Sequence, residues 1–144
     1  MSETIHGACL CGQVTFDVHH PEAMGTCHCT RCRRFTGGPG LTGVDVEAAN
    51  FDVTAGAELI THFFTEPGEA GFGFCSSCGS SLYGFGPGTF FVAAGVLRDL
   101  ELEPGYHMMV AHRAPWDVIT GSAPQYPEFP PLPDDPPARR DGRP

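Results

Sequence analysis

Apolar and polar positions alternate along this chain in short runs, and turn residues interrupt nearly every run. Val14, Phe16 and Val18 alternate with Thr15 and Asp17, a period of two that predicts a strand with one buried face. Thr4 to Leu10 reads as its hairpin partner, joined to it through Cys9-Leu10-Cys11-Gly12. Leu41 to Glu47, Asn50 to Thr54 and Glu58 to Thr65 read as three further strands, with turns at Ala48-Ala49 and Ala55-Gly56. Glu66-Pro67-Gly68-Glu69 is a turn, and Gly71-Phe72-Gly73-Phe74 is an aromatic strand running into Cys75. Ser80 to Gly86 and Thr89 to Ala94 flank the turn Gly86-Pro87-Gly88, and Tyr106 to His112 is the last expected strand. Helix is expected only as short turns, one at Cys27 to Phe35 before Gly37-Gly38-Pro39-Gly40 and another within Val96 to Leu102.

Composition agrees with this reading. The 144 residues suffice for one domain with a real core, and 19 Gly and 14 Pro favour strands and loops over long helices. Eight of the 14 prolines fall in the last 22 residues, where neither a helix interior nor a central strand suits them. The expected organisation is therefore a domain over 1–126 and a Pro-rich extended tail over 127–144, with Tyr126, Phe129 and Leu132 as the residues able to pack.

Net charge is −9 and all eight basic residues are Arg. Such a field repels phosphate backbones, so nucleic acid is not an expected partner. No stretch approaches the ~20 apolar residues of a membrane span, and the first residues carry neither a basic nor an apolar leader region. The expected location is the cytoplasm. Disulfides are uncommon there, so the seven cysteines call for another use.

Cys27, Cys29 and Cys32 lie within six residues, at spacings C-x-C and C-x-x-C. Three soft ligands without an obvious fourth suit a zinc site with an open position. Cys9 and Cys11 sit two apart, so on an extended strand their side chains would share a face. Cys75-Ser76-Ser77-Cys78-Gly79 follows an aromatic strand and reads as a zinc knuckle. The two pairs together supply the four ligands of a closed tetrahedral site. Spacing alone also permits the triplet plus one distant cysteine, or core cysteines in a hairpin. Arg31, Arg33 and Arg34 make the triplet the most positive spot on an acidic chain, which favours thiolate and an anionic substrate; a solvated charged face is the plain alternative.

The sequence resembles the glutathione-dependent formaldehyde-activating enzyme family, which includes centromere protein V-like proteins. The matching residues are Gly7-Ala8-Cys9-Leu10-Cys11-Gly12-Gln13-Val14, Cys27-His28-Cys29-Thr30-Arg31-Cys32-Arg33 and Phe74-Cys75-Ser76-Ser77-Cys78-Gly79. His107-Met108-Met109-Val110 through Arg113-Ala114-Pro115-Trp116 resembles the family's closing strand and tryptophan. The resemblance implies an all-β, single-domain β-tent of antiparallel sheets. It implies two zinc ions per chain: a structural one on Cys9, Cys11, Cys75 and Cys78, and a second on Cys27, Cys29 and Cys32, which are then the catalytic residues. It implies a carbon–sulfur lyase that reversibly cleaves S-hydroxymethylglutathione to glutathione and formaldehyde, or handles another low-molecular-weight thiol and aldehyde.

The chemistry of the residues is compatible with that implication. Zinc on three thiolates is a mild Lewis acid suited to binding a thiolate or polarising a carbonyl. Arg31, Arg33, Arg34 or Arg113 could meet the two carboxylates of glutathione. His107 and His112 could shuttle a proton, although a structural hydrogen-bonding role is the simpler reading. His28 is expected to point away from its ligand neighbours, Trp116 in the core or a pocket wall, and Met108 and Met109 in the core. Two other functions compete: a non-enzymatic zinc-binding module for protein contacts, and a thiol redox enzyme, which would require a cysteine outside the zinc sites.

Overall fold

A computed structural model describes residues 4–131. In chain order its strands are β1 (Thr4–Ala8), β2 (Thr15–His19), β3 (Met24–Cys27), β4 (Leu41–Glu47), β5 (Phe51–Ala55), β6 (Ile60–Glu66), β7 (Ala70–Cys75), β8 (Ser81–Gly86), β9 (Thr89–Ala93) and β10 (Tyr106–Met108). One α-helix, α1 (Thr30–Thr36), and four single turns of 3-10 helix complete the described elements. The protein is all-β, as its period-two pattern and its Gly and Pro content dictate. Among the described residues no helix is long and apolar enough to cross a membrane.

The described residues form two compact units, 4–23 with 43–102 and 24–42 with 103–131. In the first unit, β1, β2 and β5 make one antiparallel sheet. β4, from Gly43 onward, joins β9, β8, β7 and β6 in an antiparallel array in that order. The predicted alternation sets what is inside. Val14, Phe16 and Val18 are all but fully buried, with Val44, Val46, Leu82 and Val92. Phe51 packs on Phe16 at 5.2 Å between ring centroids and stacks on Phe90 at 4.7 Å. Buried Tyr83 meets Phe51 and Phe90 edge-on, and its hydroxyl finds His62 Nε2 at 2.7 Å. Burial pushes the Tyr83 phenol up to about 12, so it stays neutral.

The second unit holds β3, α1 and β10. β3 and β10 run parallel, Tyr106 opposite Gly25 and Met108 opposite Cys27. The antiparallel pairing that the resemblance implies holds through the first unit, and this pair is parallel. The last strand is also shorter than the expected Tyr106 to His112. Met109 takes a left-handed backbone, φ 58°, and Val110–His112 close a 3-10 turn. A strap from the Pro-rich region explains where the backbone bonds of this strand go. His107 N–H donates to the Pro124 carbonyl at 2.8 Å, and Tyr126 N–H donates to the His107 carbonyl at 2.8 Å. Met109 and Ala111 N–H donate to the carbonyls of Glu128 and Pro127. Proline lacks an N–H but keeps its carbonyl, so a Pro-rich segment can still serve as an accepting edge. Leu132 and the residues after it lie outside the described ones. Trp116 is 63% exposed, which removes it from the core.

Candidate metal centre

The first cluster is Cys9, Cys11, Cys75 and Cys78, whose sulfurs all lie within 4.8 Å of one another. β1 ends at Ala8, so Cys9 and Cys11 sit in the turn after it, not on a strand face as the spacing suggests. The turn is closed by Gly12 N–H to the Cys9 carbonyl at 3.1 Å. Of the second pair, Cys75 ends β7 and Cys78 lies in the turn that follows, which is closed by Gly79 N–H to the Cys75 carbonyl at 2.7 Å. Gly79 has φ +79°, a left-handed conformation that glycine adopts without strain.

Donors converge on these sulfurs. Val14 N–H points at Cys9 Sγ at 3.3 Å, Gln13 Nε2 at Cys11 Sγ at 3.5 Å, and the Ser80 hydroxyl lies 3.2 Å from Cys78 Sγ. The Ser80 hydroxyl and the Cys11 backbone N–H pull the Cys78 thiol down to about 5. Two turns far apart in sequence are also tied directly, Leu10 N–H donating to Ser80 Oγ at 2.7 Å. Four mutually adjacent sulfurs, met by N–H and O–H donors, form a donor set that fits a tetrahedral soft metal ion.

The second cluster is Cys27, Cys29 and Cys32, again within 4.8 Å. Cys27 ends β3, Cys29 is the N-cap of α1, and Cys32 lies in its first turn. The cap uses sulfur where Ser or Asp would normally serve: Cys32 N–H donates to Cys29 Sγ at 3.3 Å. Cys27 and Cys32 are buried and Cys29 is half-buried. Hydrogen bonds from Cys27 and then Cys32 hold the Cys29 thiol down at about 2. The Cys27 thiol rises to about 11 by donating to Cys29, and Cys32 is raised too, through Cys27 and Cys29. The hydrogen bonds of the triplet thus favour the thiolate form at Cys29. Three converging sulfurs fit a metal ion with a further position for an outside donor.

Backbone approach shapes this loop. A Cβ on Gly40 would fall on the carbonyl oxygen of Cys27. We expect Gly40→Ala to displace the Cys27 backbone, costing roughly 1–3 kcal/mol. Thermal unfolding would read the cost, and a weakened thiolate band in the cobalt-loaded protein would read the displacement of Cys27.

Around the triplet, Arg31 and Arg34 are exposed on α1, and Arg113 is exposed beyond the last 3-10 turn. Arg33 Nη1 donates to the His112 carbonyl at 3.2 Å. His112 Nε2 reaches the Glu128 carboxylate at 3.2 Å. His28 is buried, with Nε2 2.9 Å from His107 Nδ1 and Nδ1 3.1 Å from Asp117 Oδ2. Burial lowers the pKa of both histidines, which Asp117 opposes in each. No sequence spacing announces this chain of side chains, because 79 residues separate His28 from His107.

An all-β fold that gathers all seven cysteines into one set of four and one set of three defines the class of small β proteins built on metal-capable cysteine knuckles. The family model of the glutathione-dependent formaldehyde-activating enzyme matches residues 4–112, and the chain belongs to that family. It is 32% identical over 128 residues to a Halomonas elongata protein that carries the provisional name of glutathione-dependent formaldehyde-activating enzyme, covering 80% of each chain. The crystal structure of a Rhodobacter sphaeroides protein has a similar fold, with a TM-score of 0.57 and 24% identity over 67% of this chain and 90% of that one.

Proposed function

We propose that the protein is a zinc-dependent carbon–sulfur lyase that forms and cleaves an adduct between a small thiol and an aldehyde, S-hydroxymethylglutathione being the leading substrate. Family membership supports a glutathione-dependent, formaldehyde-related activity. The observation that carries the finer reading is the triplet itself: among the described residues, Cys27, Cys29 and Cys32 form a three-donor group. We assign a structural zinc to Cys9, Cys11, Cys75 and Cys78 and a second zinc to the triplet, with the cytoplasm as the working compartment.

In the cleavage direction the C–S bond breaks, sulfur keeps the electron pair, and the adduct's hydroxyl gives its proton to water as the C=O bond forms, leaving a thiolate and formaldehyde. A zinc ion on the triplet would supply Lewis acidity and favour the thiolate form of a thiol at neutral pH. The protein's own contribution is position and charge. Cys27, Cys29 and Cys32 place three sulfurs around one point. Exposed Arg31, Arg34 and Arg113 offer cationic partners for the glutathione carboxylates. A thiol redox enzyme would need a cysteine outside the clusters, and all seven lie within them.

Exchange NMR on glutathione and formaldehyde tests the reading. Catalysed interconversion above the spontaneous rate is expected with the zinc-loaded protein. No acceleration with glutathione would refute this substrate pair, and none with cysteine or coenzyme A either would favour the non-enzymatic module.

A further inference from the structure

His28 stands between two of the three sulfur donors, and its own ring is used elsewhere. β3 ends at Cys27, and Cys29 is extended, with φ −66° and ψ 158°. Along an extended chain, successive side chains leave on opposite sides. The side on which His28 is held therefore decides the side on which Cys27 and Cys29 present sulfur.

The hold on His28 is complete. Its backbone N–H donates to the Met108 carbonyl at 3.0 Å. Its Nε2 lies 2.9 Å from His107 Nδ1, with the two rings tilted at 5.1 Å. Its Nδ1 lies 3.1 Å from Asp117 Oδ2, and the two side chains are only 4% and 11% exposed. That contact is close enough for an ion pair but is not aligned as a hydrogen bond, and neither atom has another hydrogen-bond partner. Two buried polar atoms thus face each other, while the Pro39 carbonyl and the Arg113 charge also act on His28. Asp117 is itself fixed by a turn, its N–H donating to the Ala114 carbonyl at 3.0 Å, with Ala114 fully buried. Removing one partner leaves the other buried and uncompensated, so His28 would lose its preferred side.

We infer that Asp117, acting through His28, is a positioning residue for the cysteine triplet: the Asp117–His28–His107 chain fixes the direction of Cys27 and Cys29 and so sets the triplet's affinity for metal. The inference rests on the proposed reading of the triplet as a metal site. It assigns His28 and His107 no contact with substrate. It differs from a general packing role in one respect. A packing defect would weaken the whole protein, whereas loss of this brace weakens one metal site and spares the other.

Metal titration of the full chain with cobalt, followed by zinc competition, separates the two sites through their sulfur-to-cobalt charge-transfer bands. Asp117→Ala is expected to lower the triplet's affinity about 10–100-fold, the range typical of residues that orient metal ligands, with the four-cysteine site unchanged. His28→Ala should have a similar effect, and the double variant little more than either, because the two act in series. Asp117→Asn keeps the size of the side chain and carries the test if the alanine variant fails to fold. The same variant should change the ring-nitrogen NMR signals of His28, which mere packing would leave alone. Triplet affinity within twofold of wild type in Asp117→Asn and Asp117→Ala would overturn the inference, as would equal loss at both sites. A wild-type chain that takes up metal only at the four-cysteine site would overturn the reading of the triplet, and this inference with it.

Discussion

If the proposed two-zinc assignment holds, Cys29→Ser is expected to bind one metal ion against two for the wild type, and to exchange the thiol–aldehyde adduct no faster than solution alone. Cys29 accepts hydrogen bonds from Cys27 and Cys32 and from the N–H of Cys32, which hold its thiol down at about 2. A serine hydroxyl is a hard, neutral donor and does not replace a thiolate toward a soft metal ion. Serine is, however, among the best N-cap residues. The bond from the Cys32 N–H that opens α1 can therefore survive the change, and the fold should melt within a few degrees of wild type. Metal analysis by mass spectrometry, exchange NMR and calorimetry on one sample check all three parts. Two ions retained with full activity would remove Cys29 from the site.

Cys75→Ser is expected to have the opposite profile, with stability lost first. Cys75 is wholly buried at the end of β7, where its N–H donates to the Ser80 carbonyl at 3.0 Å. Its cluster joins the turn after β1 to the turn after β7 within the first unit. A structural metal contributes folding free energy directly, and a buried hydroxyl without its partners adds a desolvation cost. The loss should reach several kcal/mol, a drop in the midpoint on the order of 10 °C or more for a chain of this size. A chelator should lower the wild-type midpoint strongly and that of Cys75→Ser much less. A variant that melts like the wild type, with or without chelator, would show that this cluster does not hold the fold together.

Much of this was readable from the chain. Val14, Phe16 and Val18 point inward as their alternation demands, and Leu41–Glu47 is a strand with the bounds its pattern suggests. The grouping of the cysteines followed from local spacing, since C-x-C and C-x-x-C leave sulfurs close in any tight turn. The conformations were less legible. Cys9 and Cys11 occupy a turn because Gly12 and Val14 close it by backbone bonds, and period two cannot register where a strand stops. Tyr106 to His112 carries a strand-like sequence, but Met109 turns left-handed as its N–H meets the carbonyl of Glu128.

The sequence by itself determined that the protein is all-β, which faces of its first strands are buried, and that seven thiols fall into two pairs and a triplet. Those properties depend on residues within a few positions of one another, where chain geometry fixes the distance. Only the tertiary structure decided that the two pairs share one site, that β3 and β10 run parallel beneath a proline strap, and that His28 turns from its cysteine neighbours toward His107 and Asp117. Each is a meeting of segments distant along the chain, set by which buried polar groups could find partners and not by any local pattern.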